Sequence, residues 1–287
     1  MTDVTREELQ CLVDFAGHEA MVRQAVGHAL SDPRRRVRFL GRYASWNGFF
    51  GSGVAALAGK VGRSRGLFLD PEQPVHALAD RSVYVASFFF DAARDEFDDH
   101  ESVHRDTHRC LAQSTLSGLV DYEVTRGATD LGDPATLNAL LDDPPWLREL
   151  NAKVADGYGA RSADELAPIF SAIGYHLGSE LLADAEFSII DQTLREQAGD
   201  LVEHLLTTRV AIAGQEHVAY HWIPIHSGHG GGAEADHFEW ATQGARLAFR
   251  FVSPTQHAAL RRQMHEGFEA FARDHRRFFT RVNASDD

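Results

Sequence analysis

The sequence predicts an all-α fold, a helical bundle of about seven helices in a single domain spanning residues 1–287. Long segments repeat apolar residues at the spacing of an amphipathic helix, whereas strand-like character is confined to residues 218–225. No internal repeat of 20 to 50 residues is present, which excludes a solenoid. With 287 residues and 44% hydrophobic content, the chain is long enough to bury a sizeable core.

Capping signals and chain breakers divide the sequence into predicted helices. Thr5 with Glu8, and Ser162 with Glu165, have the spacing of a capping box at a helix start. Pro33 is suited to the first position of a helix. Residues rich in Gly, Asp and Pro predict an irregular connection with short helices at 125–160. The predicted helices cover about residues 5–31, 34–60, 76–122, 163–197, 199–213 and 234–281.

Composition limits the classes of function. The 42 acidic and 28 basic residues give a formal charge of −14, which argues against nucleic acid or an anionic membrane as the main partner. Cys11 and Cys110 lie far apart, so neither a disulfide framework nor a thiolate metal site is indicated. No apolar run reaches the roughly 18 residues of a membrane helix, and no signal peptide is apparent. We expect a cytoplasmic protein with two free thiols.

Two glycine-rich motifs resemble functional fingerprints without their required surroundings. The segment Gly51-Ser-Gly53 is similar to a dinucleotide-binding motif, but no strand precedes it, so we expect these glycines to allow close helix packing. The segment at 229–232, His-Gly-Gly-Gly, resembles the oxyanion-hole stretch of some lipases. The chain contains no GxSxG nucleophile motif, which makes a serine hydrolase an unsatisfactory interpretation.

An acidic residue and two histidines interrupt an otherwise apolar helical row at residues 101–108. At about 100° per residue, Glu101, His104 and His108 project from one face of the predicted helix. Burying these groups without partners is costly, and a metal ion held by oxygen and nitrogen ligands would partner them. The alternative is a solvated helix face, because many neighbouring residues are charged.

Two further predicted helices carry similar groups. Glu180 follows an apolar row, with a solvent-facing acid as the alternative interpretation. Glu234 and His237 begin the last helix, preceded by His226 and His229. Small residues on the side of His237 predict either a pocket wall or close helix packing; they are Ala241, Gly244 and Ala248. Carboxylates and imidazoles projecting inward from separate helices are typical of di-iron and di-manganese sites, although zinc fits the same ligands.

The motifs resemble those of the haem-oxygenase-like di-iron oxidases and oxygenases. That family has Glu-x6-His on one core helix, a Glu on a second, and His-x3-Asp/Glu-x2-His on the last. Glu101 with His108 is similar to the first part, Glu180 to the second, and Glu234 with His237 to the end of the third. Position 230 is Gly where the family has its leading His. If residues 229–232 are a four-residue insertion, His226 has the expected spacing to Glu234, so His226 is favoured over His229 as the sixth ligand.

The resemblance spans about residues 80 to 255 and implies a function. It implies two Fe(II) ions per chain, O2 as co-substrate, and oxidation of a small molecule, and it is compatible with an external electron donor and a homodimer. The GSELL and EADHF segments are most similar to the azetidine-forming branch of the family, the amino-acid oxidases of polyoximic acid biosynthesis. A metal-free small-molecule binding protein of the same fold, an N-oxygenase and an oxidative cleavage enzyme remain as alternatives.

The substrate implied by the resemblance is a free aliphatic amino acid similar to isoleucine or valine. The expected reaction is hydrogen removal from a side-chain carbon, giving an alkene or, after C–N closure, an azetidine. An arginine is well suited to bind the substrate carboxylate through paired hydrogen bonds. Arg209 and Arg250 are the candidates from the sequence.

Overall fold

A computed structural model of the chain describes residues 3–97, 106–227 and 233–284, and most of them are helical. The N-terminal half contains α1 (Arg6–Gln10), α2 (Phe15–Ala29), α3 (Pro33–Asn47), α4 (Phe50–Arg63), α5 (His76–Ala79), α6 (Ser82–Phe97), α7 (His108–Thr125), a 3-10 turn (Thr129–Gly132) and α8 (Pro134–Leu141). Next come α9 (Pro145–Gly157), α10 (Leu166–Gln197), α11 (Gly199–Thr207), β1 (Arg209–Ile212), β2 (Gln215–Val218) and α12 (Trp222–His226). The chain then forms α13 (Ala233–Arg250), a second 3-10 turn (Pro254–Gln256) and α14 (His257–Arg281).

The prediction of an all-α fold is confirmed by this architecture. Helix α10, 32 residues long, packs against α14, α13, α2, α12 and α4. It is buried on nearly every side, as expected of a helix that lacks a continuous polar face. Two glycines allow its close crossing with α14: a Cβ on Gly174 would lie 1.8 Å from the carbonyl oxygen of Met264, and one on Gly267 would lie 1.9 Å from that of Ser171.

The described residues contain one sheet, a two-stranded antiparallel hairpin. Its position in the sequence differs from that of the predicted strand. Strands β1 and β2 pair with Arg209 opposite Val218 and Ile212 opposite Gln215. The turn residues Ala213 and Gly214 both have positive φ, as a tight hairpin turn of this kind requires. The signal at residues 218–225 is therefore misplaced, since β2 ends at its first residue and α12 follows.

The two longest predicted helices are each interrupted, so the helices are more numerous than predicted. The segment 76–122 breaks where the Asp80 carboxylate accepts the backbone N–H of Ser82, and again before α7, where the Thr107 hydroxyl accepts the N–H of Cys110. Such side-chain acceptors satisfy the free N–H groups of a new helix start. The segment 234–281 breaks at Pro254, which lacks the N–H that a continuous helix needs.

The two predicted capping boxes have different outcomes. The Thr5 hydroxyl accepts the N–H of Glu8 at 3.2 Å, which confirms the cap of the first helix. Ser162 does not cap α10, whose N-cap is Glu165. The buried ammonium group of Lys60 donates to both the carbonyl and the hydroxyl oxygen of Ser162. These hydrogen bonds hold Ser162 away from the start of α10.

The glycines of α4 lie where helices approach closely, which agrees with the interpretation of this motif as a packing feature. A Cβ on Gly53 would lie 2.3 Å from the ring of Tyr158, and a Cβ on Gly51 would lie 2.8 Å from the Cβ of Glu96. Gly51 thus makes room for Glu96 at the end of α6. Among the helices in the described ranges, none has both the length and the apolar character needed to span a membrane.

Candidate metal centre

Three helices bring one carboxylate and two imidazoles to a common point in the protein interior. Glu96 near the end of α6, His108 at the start of α7 and His226 at the end of α12 each place one potential ligand atom within 4.8 Å of the others. Nδ1 of His108 lies 3.0 Å from Oε2 of Glu96 and 3.1 Å from Nε2 of His226. Both histidines are buried, and the Glu96 side chain is 20% exposed.

The hydrogen bond at the other ring nitrogen of His226 fixes its tautomer. Nδ1 lies 2.6 Å from the carbonyl oxygen of Trp222, which accepts and does not donate, so this nitrogen carries the proton. Burial and the nearby charge of His108 hold the pKa of His226 well below its ordinary value, which keeps the ring neutral. The lone pair of Nε2 therefore faces His108 and Glu96. Metal-binding histidines commonly have this arrangement, with one nitrogen donating to a carbonyl and the other free to bind.

Packing holds the His226 ring in place. The Phe187 ring of α10 stacks on it with centroids 4.4 Å apart and an interplanar angle of 19°. Trp222 and His226 are four residues apart on α12, so one turn of helix places the accepting carbonyl directly behind the ring. A short helix of five residues therefore suffices to orient the imidazole.

A second group of acids and imidazoles lies on α6, α10 and α13. Nδ1 of His176 is 3.1 Å from Oε1 of Glu180, and Nδ1 of His237 is 3.5 Å from Oε2 of the same carboxylate. Nε2 of His237 lies 2.8 Å from Oδ2 of Asp95. His176, Glu180 and His237 are buried. Glu180 is thus flanked by two imidazoles, and His237 by two carboxylates.

The surroundings of Glu180 keep this buried carboxylate ionised. Burial alone would raise the pKa of Glu180, but the charges and hydrogen bonds of His176 and His237 more than offset that effect. The pKa of Glu180 therefore lies well below its ordinary value. A buried, ionised carboxylate is a ready ligand for a hard cation.

The two groups are neighbours. The electrostatic surroundings of His226, in the first group, include charges on His237 and Glu180, in the second. In addition, the consecutive residues Asp95 and Glu96 supply one carboxylate to each group. Consecutive Cα atoms are only about 3.8 Å apart, so the end of α6 lies between the two groups. The result is one interior site with two subsites.

The donor set fits a divalent metal of intermediate hardness. Glu96, His108 and His226 offer one oxygen and two nitrogens, a combination suited to iron, manganese or zinc. Nδ1 of His108 lies within hydrogen-bond distance of both Nε2 of His226 and Oε2 of Glu96, so the three potential ligand atoms already face one another. In the second group, Nε2 of His176 is buried and has no hydrogen-bond partner among the described residues. No cysteine contributes to either group, since Cys11 is exposed and Cys110 half-buried.

The structure brings together four of the six ligands predicted from the sequence: His108, Glu180, His226 and His237. Glu101, the rival residues His104 and His229, and the side chain of Glu234 lie outside the described part of the chain. The expectation of one continuous helix through residues 76–122 is wrong. Asp106 and Thr107 are not helical, and α7 begins only at His108.

Three residues of the site were not predicted: Asp95, Glu96 and His176. The two acids belong to a densely charged segment that we interpreted as solvated. Spacing contained a usable signal for His176, because it lies four residues before Glu180 and such pairs share a helix face. An imidazole and a carboxylate that share the buried face of one helix are a better indication of a site than either alone.

The small residues of α13 form a packing surface. A Cβ on Gly244 would lie 2.8 Å from the Phe89 ring of α6, and Ala241 and Ala248 are fully buried. These contacts agree with the interpretation of the small residues as a surface for close helix packing. Asp184, one turn beyond Glu180, instead pairs with Arg6 at 3.2 Å near the surface.

A cavity of about 200 Å³ adjoins the first group. Glu96 and His108 form part of its wall, next to Arg109, Gly48 and Trp222. The substrate-binding candidates from the sequence do not contribute to this wall. Arg209 begins β1 and Arg250 ends α13, and both are exposed.

Comparison with known proteins assigns neither a family nor a function to the chain. No protein-family model, curated protein or solved structure matches the chain. The resemblance to the haem-oxygenase-like di-iron family therefore stays a prediction that rests on short motifs.

Proposed function

We propose that this protein is a non-haem di-iron oxidase of the haem-oxygenase-like type, which uses O2 to oxidise an aliphatic C–H bond of a small molecule. The observation that carries the proposal is the convergence of Glu96, His108 and His226 from three separate helices. A second group around Glu180 and His237 lies beside it. Two adjacent sets of carboxylate and imidazole ligands are how helical bundles hold two metal ions.

Each ion would be held by its own set of side chains. Glu96, His108 and His226 would hold one, and Asp95, Glu180 and His237 would hold the other. Glu101 and Glu234 remain predicted ligands that would complete the coordination. When bound, the two irons would supply the reduction of O2 and the removal of hydrogen from the substrate.

The protein's own residues would hold the ligands in place and exclude water. The stacked Phe187 ring and the Trp222 carbonyl keep Nε2 of His226 directed at the first group. His176 donates to Glu180, or shares a proton with it, and so orients that carboxylate. Both groups are largely screened from solvent, and the 200 Å³ cavity gives a small molecule access to the first.

We infer that the substrate is a free aliphatic amino acid similar to isoleucine or valine. Reduction of O2 to two waters consumes four electrons. Loss of four hydrogens, through desaturation and C–N closure to an azetidine, supplies all four. Loss of only two hydrogens supplies half, and an external donor must then supply the rest. The product and the need for a reductant are thus linked. We further propose a cytoplasmic location, in keeping with two free cysteines.

Metal loading tests the proposal. The purified chain is incubated anaerobically with Fe(II), desalted and assayed for iron. We expect about two irons per chain, about half or less in His226→Ala and in His237→Ala, and the wild-type value in His28→Ala, which removes an exposed imidazole. Helical circular dichroism checks that each variant is folded. Wild-type protein that retains no iron under any loading condition would exclude the oxidase.

Product mass then distinguishes the reactions. The iron-loaded protein is exposed to O2 with each aliphatic amino acid, with and without a reductant. Loss of two or four hydrogens is the expected result. A gain of oxygen without loss of hydrogens from carbon would instead indicate N-oxygenation, and consumption of a fatty acid but of no amino acid would refute the substrate assignment.

A further inference from the structure

The cavity beside the first ligand group has one cationic wall. Arg109 follows His108 directly in the first turn of α7, and both residues border the cavity together with Glu96. Nη1 of Arg109 donates to the carbonyl oxygen of Ala44 at 2.6 Å. Among the described residues no carboxylate pairs with this guanidinium, although the chain carries 42 acids.

Capping of α3 explains only part of the position of Arg109. The carbonyl of Ala44 belongs to the last turn of α3, where a cation is favourable. That contact uses one N–H, whereas a guanidinium has five. Among the described residues no other group accepts from this exposed guanidinium, and a carboxylate matches the geometry of its remaining donors through two parallel hydrogen bonds.

The backbone around Arg109 favours an anion at the same place. Thr107 is the N-cap of α7, and His108 and Arg109 are its first residues; all three border the cavity, so the positive N-terminal end of an 18-residue helix lies at the cavity wall. The Thr107 hydroxyl accepts one of the N–H groups at this end, that of Cys110. A guanidinium and a helix N-terminus therefore act together on one side of the cavity.

A glycine makes room for the guanidinium. A Cβ on Gly48 would lie 2.1 Å from Nη1 of Arg109, so any larger residue would displace the arginine. Gly48 has φ −62°, a conformation open to every residue type, so its backbone geometry does not require glycine. The absence of a side chain at Gly48 thus leaves room for the guanidinium in its present position, and a larger residue would require it to shift.

The size of the cavity limits the ligand. About 200 Å³ equals the volume share of roughly seven water molecules at about 30 Å³ each. An organic molecule of about ten or fewer non-hydrogen atoms fills such a space. Glu96 and His108 border the same cavity as Arg109, so the carbon chain of an acid held at Arg109 lies next to the ligand cluster.

A wider surface cleft adjoins this cavity. It has a volume of about 610 Å³ and shares Ala44, Arg109 and Ala112 with the inner cavity. The cleft also contains Arg148, but that guanidinium already contacts the carbonyl of Asp143 and the carboxylate of Asp142. Of these two arginines, Arg109 is the one that borders both spaces, and it has no carboxylate partner in the described part of the chain.

We propose that Arg109 binds the carboxylate of a small aliphatic acid and so places its carbon chain against the Glu96 and His108 cluster. The role of Arg109 in catalysis rests on the proposed function, since the cluster is the reacting centre only if the protein is an oxidase. Binding of the acid itself depends on Arg109 and the cavity alone. Arg109 is thus a specificity-determining residue for substrates with a carboxylate.

The test uses three molecules that differ only in their polar groups: L-isoleucine, 3-methylpentanoate, which lacks the amine, and 2-methylbutylamine, which lacks the carboxylate. Each is titrated calorimetrically into the full chain, with and without anaerobic Fe(II). We expect both carboxylates to bind the wild type at least about tenfold more tightly than the amine, because a charge-assisted bidentate contact is worth at least that much.

Three variants locate the contact. Arg109→Gln should weaken the binding of both carboxylates about tenfold or more and leave the binding of the amine unchanged. The affinities of Arg109→Lys should lie between those of the wild type and Arg109→Gln, because lysine keeps the charge but lacks the planar pair of donors. Arg148→Gln is the matched control and should bind as the wild type. The proposal is overturned by wild-type protein that binds neither carboxylate, by Arg109→Gln that binds them as the wild type does, or by an equal loss in Arg148→Gln.

Iron content separates this inference from the proposed function. Arg109→Gln should retain the wild-type iron content, because it removes no ligand. A chain that binds the carboxylates through Arg109 but no iron would refute the oxidase and retain the binding site. A chain that binds iron but no carboxylate would refute the binding site alone.

Discussion

Nε2 of His226 lies 3.1 Å from Nδ1 of His108, although the two residues are 118 positions apart in the sequence. The carbonyl of Trp222 holds the proton of His226 on the opposite nitrogen, so a lone pair faces the neighbouring ring and the Glu96 carboxylate. Two imidazoles and a carboxylate that face one another at these distances form a donor set of the kind that binds iron, manganese or zinc. The predictions below concern the groups around this contact and the fold that holds them.

Substitution of Glu96 tests the carboxylate that the structure places beside His108. Glu96→Gln keeps the size of the side chain and removes its charge, so we expect iron affinity to fall by about tenfold or more. Competition with a chromogenic chelator measures the affinity. Glu72→Gln, which changes an exposed acid, is the control and should bind iron normally. Unchanged affinity in Glu96→Gln, with a loss in Glu101→Gln, would transfer this role to Glu101.

Substitution of His176 tests its action on Glu180. His176→Leu removes the nearest partner of the Glu180 carboxylate, and we expect metal affinity to fall by about tenfold to a hundredfold, the usual effect of losing a group that orients a ligand. His176→Asn retains an N–H donor and should recover part of the loss. Equal affinity in both variants and the wild type would show that His176 has only a packing role.

Glycine substitutions test the crossing of α10 and α14. Gly174→Ala places a methyl group against the backbone of Met264, which cannot move aside like a flexible side chain, and we expect the free energy of unfolding to fall by about 3 kcal/mol or more. Gly59→Ala is the matched control, because no atom lies within 4 Å of its Cβ position on α4. It should raise stability by up to about 1 kcal/mol. Urea unfolding compares the two, and similar effects would contradict the packing described.

The buried pair of His18 and His275 predicts a pH dependence of stability. Nδ1 of one ring lies 2.9 Å from that of the other. Burial, followed by the charges of His275 and Arg276, lowers the pKa of His18 to about 4. The unfolded chain, with a pKa near 6.5, therefore binds the proton first as the pH falls. The contribution of neutral His18 to the free energy of unfolding is therefore fully present above about pH 6.5 and is lost as the pH falls from 6.5 to 4.

Urea unfolding of metal-free protein between pH 7.5 and 4.5 measures this effect. The free energy of unfolding should fall more steeply for the wild type than for His18→Asn, by at most about 1.4 kcal/mol per pH unit. Parallel curves for the two proteins would mean that His18 does not titrate differently in the folded and unfolded chains.

The periodicity of apolar residues was enough to predict the fold class, because burial of helix faces determines that pattern. It did not predict where long helices break. The interruptions at Asp80, Thr107 and Pro254 depend on single side chains that accept an N–H or lack one. A side chain that accepts a backbone N–H in place of a helical carbonyl does not change the average periodicity of apolar residues. Two adjacent helices therefore appear in the sequence as one.

The site was predictable where an ionisable residue interrupts an apolar row. His108 and Glu180 do so, and both are buried. Asp95 and Glu96 were missed because their segment is acidic throughout, and only the tertiary fold selects which acids turn inward. His226 was identified from its distance to Glu234 in the motif, whereas its partner Trp222 is apparent only once α12 is seen.

The ligand groups connect parts of the chain that are far apart in sequence: His237 meets Asp95 across 142 positions. An ion bound to α6, α7, α10, α12 and α13 would therefore close long loops, as a cross-link does. Closure of a long loop reduces the entropy of the unfolded chain, and the benefit grows slowly with loop length. Metal-loaded protein should accordingly resist proteolysis and melt at a higher temperature than the same chain treated with chelator. A bound ion would then also act as a cross-link between the first and last thirds of the sequence.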